Sequence, residues 1–312
     1  MKKSLLFALI FLMLLFMFPS LSVKGAKEGL LLWFNTIIPT LFPFILMTNI
    51  LRELDGIRIF QKLFGRFTQK LFKTSVNSGY PIIAGFLCGY PMGAKTVSDT
   101  YEGGSITLAE ANYLLTFCNN PSPMFIINYI ILTNLKDPHL ILPFFIIIYL
   151  STYFNAKIQY IAFRREDASR WFKPKNMITT AECDEDKSGL FDRCILDSFE
   201  LLCKIGGYLM LFSILNQYIL SLPMLNEIHK IMISGLFEQT TGLTMLVQGP
   251  LDMTMKIVLS IFITCFGGLA IAAQTYSVIH NQGLSIGKYL IGKTLHSLIA
   301  SILAFLYVQF IY

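Results

Sequence analysis

Polar side chains are rare inside the apolar stretches of this 312-residue chain, and those that occur there are the first candidates for chemistry. Glu238 lies in Gly235-Leu236-Phe237-Glu238-Gln239-Thr240-Thr241-Gly242. A carboxylate in apolar surroundings can hold a proton or a coupling cation; the alternative is a Glu near an outer surface. Thr240 and Thr241 stand beside it as hydrogen-bonding groups. Lys95 closes Gly89-Tyr90-Pro91-Met92-Gly93-Ala94-Lys95. It either faces an anionic solute or pairs with Asp99 one helical turn later. In Thr116-Phe117-Cys118-Asn119-Asn120-Pro121-Ser122-Pro123-Met124-Phe125, the polar groups sit in the middle of an apolar run. Asn119, Asn120 and Ser122 can offer neutral hydrogen bonds to a solute. A helix restarting after Pro123 would add free N–H groups and a positive dipole end. Gly267 and Gly268, in Phe266-Gly267-Gly268-Leu269-Ala270, and Gln274 complete the set.

The same inventory argues against an enzyme and against a bound cofactor or metal. The six Cys residues form no C-x-x-C pair, and the four His residues show no H-E-x-x-H spacing. There is no P-loop and no nucleophile–base constellation. Most of the Cys residues lie in apolar runs, where a thiol packs as a small hydrophobe.

The elements that must position these residues are membrane helices. Hydrophobic residues make up 54% of the chain and charged residues 14%, whereas soluble domains carry about 25% charged residues. Spans are expected at 4–23, 29–51, 139–163, 194–220 and 286–311, each near the ~20 residues that cross the hydrocarbon core. The stretch before residue 28 reads as an uncleaved first span or as a signal peptide, since Lys2 and Lys3 precede an apolar run with no clear cleavage site. Four further segments, 75–97, 111–134, 229–248 and 255–279, are hydrophobic but carry Gly, Pro, Asn or Thr in their middles. Gly-Tyr-Pro occurs at Gly79 and again at Gly89, and each Pro frees backbone groups that must find other partners. Gly85, Gly89 and Gly93 recur every four residues, the spacing of one helix face made for close approach. Residues 52–74 set Phe60, Leu63, Phe64, Phe67 and Leu71 against Arg58, Lys62, Arg66, Lys70 and Lys73, a basic amphipathic helix lying on the membrane surface. Residues 164–193, with seven basic and seven acidic side chains, read as a mobile cytoplasmic loop.

The positive-inside rule orients these pieces. With the N-terminus, 52–74, 164–193 and 280–293 inside, only Lys24, Lys27, Lys136, Lys230 and Lys256 of the 25 Lys and Arg residues lie outside. This placement excludes nucleic acid as a partner. It requires 75–97 and 229–248 to be re-entrant, entering and leaving on the same side. Residues 29–163 then form one repeat and 194–312 a second one, each running span, re-entrant segment, broken span, span. Gly85-Phe86-Leu87 matches Gly235-Leu236-Phe237, and Thr116 to Asn120 matches Thr264 to Gly268, at offsets close to 150 residues. The expected fold is an all-α polytopic membrane protein, an inverted repeat with two re-entrant hairpins. Such repeats with paired broken helices are the architecture of secondary transporters, which bind solute near the midplane.

G-Y-P-M-G-A-K at 89–95, N-N-P-S-P-M-F-I at 119–126, G-L-F-E-Q-T-T-G at 235–242 and F-G-G-L-A-I at 266–271 resemble the sporulation integral membrane proteins of the YlbJ type, the stage V sporulation protein V group. These are nucleoside-recognition, or Gate-domain, proteins that look related to concentrative nucleoside transporters. The resemblance covers about residues 29–300. The chain departs from the pattern in the added Pro121 and in Ala270, where a Ser is expected; neither change removes a charge. The resemblance implies a mother-cell or outer forespore membrane of an endospore-forming bacterium, and a small anion of the dipicolinate kind as solute. The expected function is a secondary transporter or facilitator for that anion; the alternative is a scaffold of the sporulation membrane that transports nothing. The partners implied are the anion, a proton or sodium ion for coupling, and membrane lipid. Assembly into a homo-oligomer is left open.

Overall fold

The structure, a computed structural model, describes residues 2–54, 57–167 and 189–312. The loop expected at 164–193 falls mostly on 168–188, outside the described residues. Helix α1 (Lys2–Met17) ends at Phe18, because Pro19 cannot donate the next helical bond. Helix α2 (Pro19–Leu32) then runs through a π-turn at Trp33–Ile37 into α3 (Ile38–Glu53). The spans expected at 4–23 and 29–51 therefore meet at Phe18–Pro19, and Lys24 to Glu28 do not interrupt the helix. The reason is tertiary. Gly25 and Gly29 let α2 lie against the backbone of Ile214 and Met210 in α9 (Leu190–Leu220). There Ser22 meets the Tyr218 hydroxyl at 2.6 Å, and Gln217 donates to Glu28 at 2.5 Å. Polar residues that find partners on a neighbouring helix stay helical.

Among the described residues, five helical runs are long and apolar enough to cross a membrane: Pro19–Leu51, Pro138–Phe163, Leu190–Leu220, Met253–Gln282 and Ile286–Phe310. Helix α8 (Ile141–Asp167) and helix α14 (Ile286–Phe310) pack together, burying Phe144, Ile148, Ala300 and Ala304. Their outer faces leave Leu142, Ile146, Leu298, Ile302 and Phe305 uncovered by protein. A row of exposed large apolar residues on long helices is a lipid contact. The protein is an all-α, multi-pass membrane protein.

The interrupted segments break where the sequence places Gly and Pro. Residues 75–97 fold as α5 (Gly79–Leu87) and α6 (Met92–Glu102), packed on each other across a turn with a cis Tyr90–Pro91 bond. Residues 229–248 fold as α10 (Glu227–Phe237) and α11 (Gln239–Gln248), also packed together, with Glu238 extended between them. None of these four helices approaches the ~20 residues of a span; both pairs are hairpins. Helix α7 (Leu108–Leu115) gives way to irregular backbone through Pro123 and then to a π-helix at Phe125–Leu135. Helices α12 (Met253–Phe266) and α13 (Gly268–Ile279) are separated at Gly267, which has φ +86°. The order of elements in the second half thus repeats that of the first.

Gly85, Gly89 and Gly93 do not share one helix face, because the chain breaks between α5 and α6. They meet the same neighbour all the same. A Cβ on Gly85 or on Gly93 would overlap the Cys118 carbonyl oxygen, and one on Gly89 would press on Ser122. The irregular segment 116–123 is thus held in the fork of the first hairpin.

Helix α4 (Ile57–Phe72) is the amphipathic helix expected at 52–74. It packs on the first hairpin through Gly65, against which Val76 and Gly79 lie. Leu63 and Phe67 remain more than 60% exposed, as befits a helix whose apolar side is given to lipid. Contacts sort the loops into two groups. Gln282 donates to Glu102 at the mouth of the first hairpin, and the Ser285 amide donates to Asn112. At the other end, Tyr312 donates to Asp137, and Leu251 and Met253, after the second hairpin, belong to the same apolar cluster as Leu135 and Tyr307. Single cysteines introduced at Lys136 and Lys230 are therefore expected to react with an impermeant maleimide added outside intact cells, and one at Lys70 to be protected. Outside labelling at Lys70 would rule out opposed hairpins.

Candidate functional site

Four breaks in regular helix meet in one place. The Tyr90 hydroxyl, at the tip of the first hairpin, donates to Gln239 Oε1, at the tip of the second, over 2.7 Å. Gly89 lies against Ser122 of the irregular segment. Gly268 lies against the Leu236 and Phe237 carbonyls and the Gln239 amide. Free backbone groups at membrane depth are tolerated where they pair with each other or line a cavity, and here they do both.

Beside this junction is a pocket of about 540 Å³, counted out to its mouth. Its lining combines apolar Ile37, Leu41, Phe125, Ile205, Leu209 and Ile271 with polar Ser122, Glu238, Gln239, Thr240 and Gln274, and includes Gly89 and Tyr90. Ser122 Oγ accepts from the Phe125 amide, which leaves its hydroxyl proton for a ligand. Among the described residues the Gln274 side-chain amide makes no hydrogen bond, and Gln239 uses only its oxygen. The pocket thus offers both apolar surface and unspent donors.

Glu238 is the one charged residue in the lining, and it is 2% exposed. It caps α11. Oε1 accepts from the Thr240 amide and hydroxyl at 3.0 and 2.5 Å, and Oε2 from the Thr241 amide and hydroxyl at 2.7 and 2.8 Å. Four donors converge on two oxygens at a helix N-terminus. The Glu-Gln-Thr-Thr sequence is what makes this cap possible.

The remaining residues singled out from the sequence fall into two groups. Pro91, Gly93, Asn119, Asn120, Thr241, Gly267 and Gly268 shape the junction without lining the pocket. Asn119 is its hub: Oδ1 accepts from the Ala94 amide at 3.3 Å, and Nδ2 donates to Thr275 at 3.0 Å and Tyr289 at 3.3 Å. Asn120 turns back on the Phe117 carbonyl at 2.8 Å. Lys95 is outside the lining and pairs with Asp99 at 3.0 Å, both side chains about a quarter exposed.

Lys293 and His296 were not among the sequence candidates. Lys293 was counted with the inner basic stretch 280–293, yet both residues are 1% exposed within α14. Lys293 Nζ donates to the Asn119 carbonyl at 3.0 Å, and His296 Nε2 lies 3.1 Å from Thr152 Oγ1. The signal was present in the sequence: Ile286–Phe310 is an apolar run with a Lys and a His well inside it.

Residues 34–136 match the family model described as Gate, nucleoside recognition. That stretch contains α3, the first hairpin and the Asn119–Ser122 break. Over 320 aligned residues the chain is 22% identical to the sporulation integral membrane protein YlbJ of Bacillus subtilis (strain 168), covering 92% of this chain and 78% of that protein. No solved structure matches the chain. The resemblance drawn from the G-Y-P-M-G-A-K and N-N-P-S-P motifs stands on both findings.

Proposed function

We propose that the protein is a secondary transporter or facilitator that passes a small anionic solute across a bacterial membrane, and that the pocket between the hairpin tips is its binding site. The observation that carries this reading is the convergence of four helix breaks on one cavity, closed by the Tyr90–Gln239 hydrogen bond. Two hairpins meeting tip to tip can part on one side or the other, which is what alternating access requires. The repeated order of elements and the opposed hairpin mouths support an inverted repeat. The similarity to a sporulation membrane protein supports placing the activity in spore formation.

The anionic solute rests on the resemblance and on the unspent donors of Ser122, Gln239 and Gln274. The apolar part of the lining suits a flat ring, so pyridine-2,6-dicarboxylate is the probe of choice. Gln274→Leu removes a donor at nearly constant volume and leaves no protein group unpaired. Its affinity for the probe, read by equilibrium binding to purified protein, is expected to fall about 10- to 100-fold, from ~1.5–3 kcal/mol for a hydrogen bond to a charged group. Melting temperature is expected to stay near that of the unaltered protein. Unchanged affinity would remove the pocket from the binding path.

A further inference from the structure

Glu238 and Lys293 are both buried, and their surroundings differ in kind. Glu238 is saturated: four donors hold its two oxygens, and a proton placed on either one would meet an N–H and an O–H already pointing at it. Lys293 is unsaturated. Among the described residues its single hydrogen bond is to the Asn119 carbonyl, and no carboxylate pairs with it. An ammonium has three donors, so most of its capacity is unused. A buried charge without a counter-charge is costly, and the cost disappears when the proton leaves.

The titratable groups around Lys293 are few. His296 and Tyr289 belong to its own helix, and the Cys265 thiol of α12 lies within electrostatic reach. From the irregular segment it meets a carbonyl, and α8 contributes Thr152 and Asn155 to the same junction. Glu110 of α7 is engaged elsewhere, with Ser75 and Ser78. The junction also holds an unused acceptor. Asn155 donates to the Thr116 carbonyl, against which Gly292 packs, while its own Oδ1 is buried without a partner.

We propose that Lys293 is the group that takes up and releases the proton coupled to solute movement, while Glu238 serves as the cap of α11. This rests on the transport reading above. Lys293 holds the backbone of Asn119, three residues before Ser122 of the pocket wall, so its state reaches the solute through the irregular segment. A small anion entering a buried site needs a compensating positive charge. Lys293 supplies it as the ammonium. When the opposite side opens, the ammonium gives one H⁺ to incoming water, the N–H bond pair remains on nitrogen as the amine lone pair, and the anion leaves with the proton. The amine still donates to the Asn119 carbonyl, so the junction is not dismantled at each turnover.

The test compares Lys293→Arg and Lys293→Met in proteoliposomes, with labelled pyridine-2,6-dicarboxylate as probe and an internal pH dye. Exchange is measured at equal pH on both sides, and accumulation under an inward proton gradient of about one pH unit, worth about tenfold in accumulation for one proton per solute. The unaltered protein is expected to accumulate the probe and acidify the interior. Lys293→Arg, a fixed cation, is expected to exchange the probe but to lose accumulation and acidification; Lys293→Met, which also lacks the positive charge, is expected to lose exchange as well. If Lys293 only caps broken backbone, Lys293→Arg accumulates the probe and acidifies the interior as the unaltered protein does, and the inference is overturned. Accumulation that ignores the gradient in the unaltered protein also overturns it, while leaving transport intact. Absence of any exchange in the unaltered protein overturns the transport reading itself, and this inference with it. Lys293→Gln, which keeps a donor for the Asn119 carbonyl but cannot titrate, replaces either variant that fails to assemble and carries the expectation given for Met.

Discussion

Gly93→Leu is expected to abolish solute uptake. The Cβ of any residue at 93 would overlap the Cys118 carbonyl oxygen and stand 2.9 Å from its carbon and 3.0 Å from the Asn119 Cα. These are backbone atoms that cannot rotate away. They belong to the segment that carries Asn119 and Ser122 into the site, so the first hairpin or that segment must move off its place. Overpacking of this kind costs about 1–3 kcal/mol and occasionally more. In a site assembled from four breaks, a shift of about 1 Å is already enough to lose function. Gly207→Leu is the control, since nothing lies within 4 Å of a Cβ there. Initial uptake rates, normalised to protein in the membrane, decide the matter. A normal rate in Gly93→Leu would show that the hairpin and the irregular segment need not be in contact.

Glu238→Gln is expected to destabilise the protein. Shape alone suggests a silent change, because amide and carboxylate are isosteric and only the acid can carry a proton. The cap geometry says otherwise. One amide position becomes an NH₂ facing an N–H and an O–H that previously donated to it, so two hydrogen bonds are lost and donors are set against donors. Hydrogen bonds to a buried charge are worth ~1.5–3 kcal/mol each. Partial relief by rotation of the Thr hydroxyls leaves an expected loss of ~2–4 kcal/mol, or a melting temperature lower by about 5–10 °C. A melting curve that does not move would show that the Glu238 carboxylate is not the cap of α11, and would restore it as a candidate for the coupling group.

The hydrophobic runs and their interruptions revealed both hairpins and both broken spans, because Pro91 and Gly267 act locally on the backbone, although Pro43 and Pro81 are accommodated within α3 and α5. The amphipathic α4 was equally visible in its 3.6-residue period. What depends on a partner far along the chain was not visible. Lys24 to Glu28 read as a boundary because the sequence does not show that α9 receives Ser22 and Glu28. Lys95 reads from the sequence as facing an anionic solute or pairing with Asp99, and Lys293 only as part of an inner basic stretch; the packing of α14 on the 116–123 segment distinguishes the Lys95–Asp99 pair from a buried Lys293. Glu238 was legible as a site residue, but its fourfold capping was not, since that depends on the extended backbone between α10 and α11. Tyr90, Ser122, Thr240 and Gln274 were found by type and context. Gln239, whose oxygen receives the Tyr90 hydroxyl, was passed over beside a charged neighbour.

Transport itself is tested most directly by uptake of pyridine-2,6-dicarboxylate into proteoliposomes of the purified protein. Saturable uptake, competed by unlabelled probe and absent from the Gly93→Leu protein, is the result expected. A folded, correctly inserted protein that carries no probe, and whose Gln274→Leu form behaves no differently, would contradict the account and leave a membrane scaffold in its place.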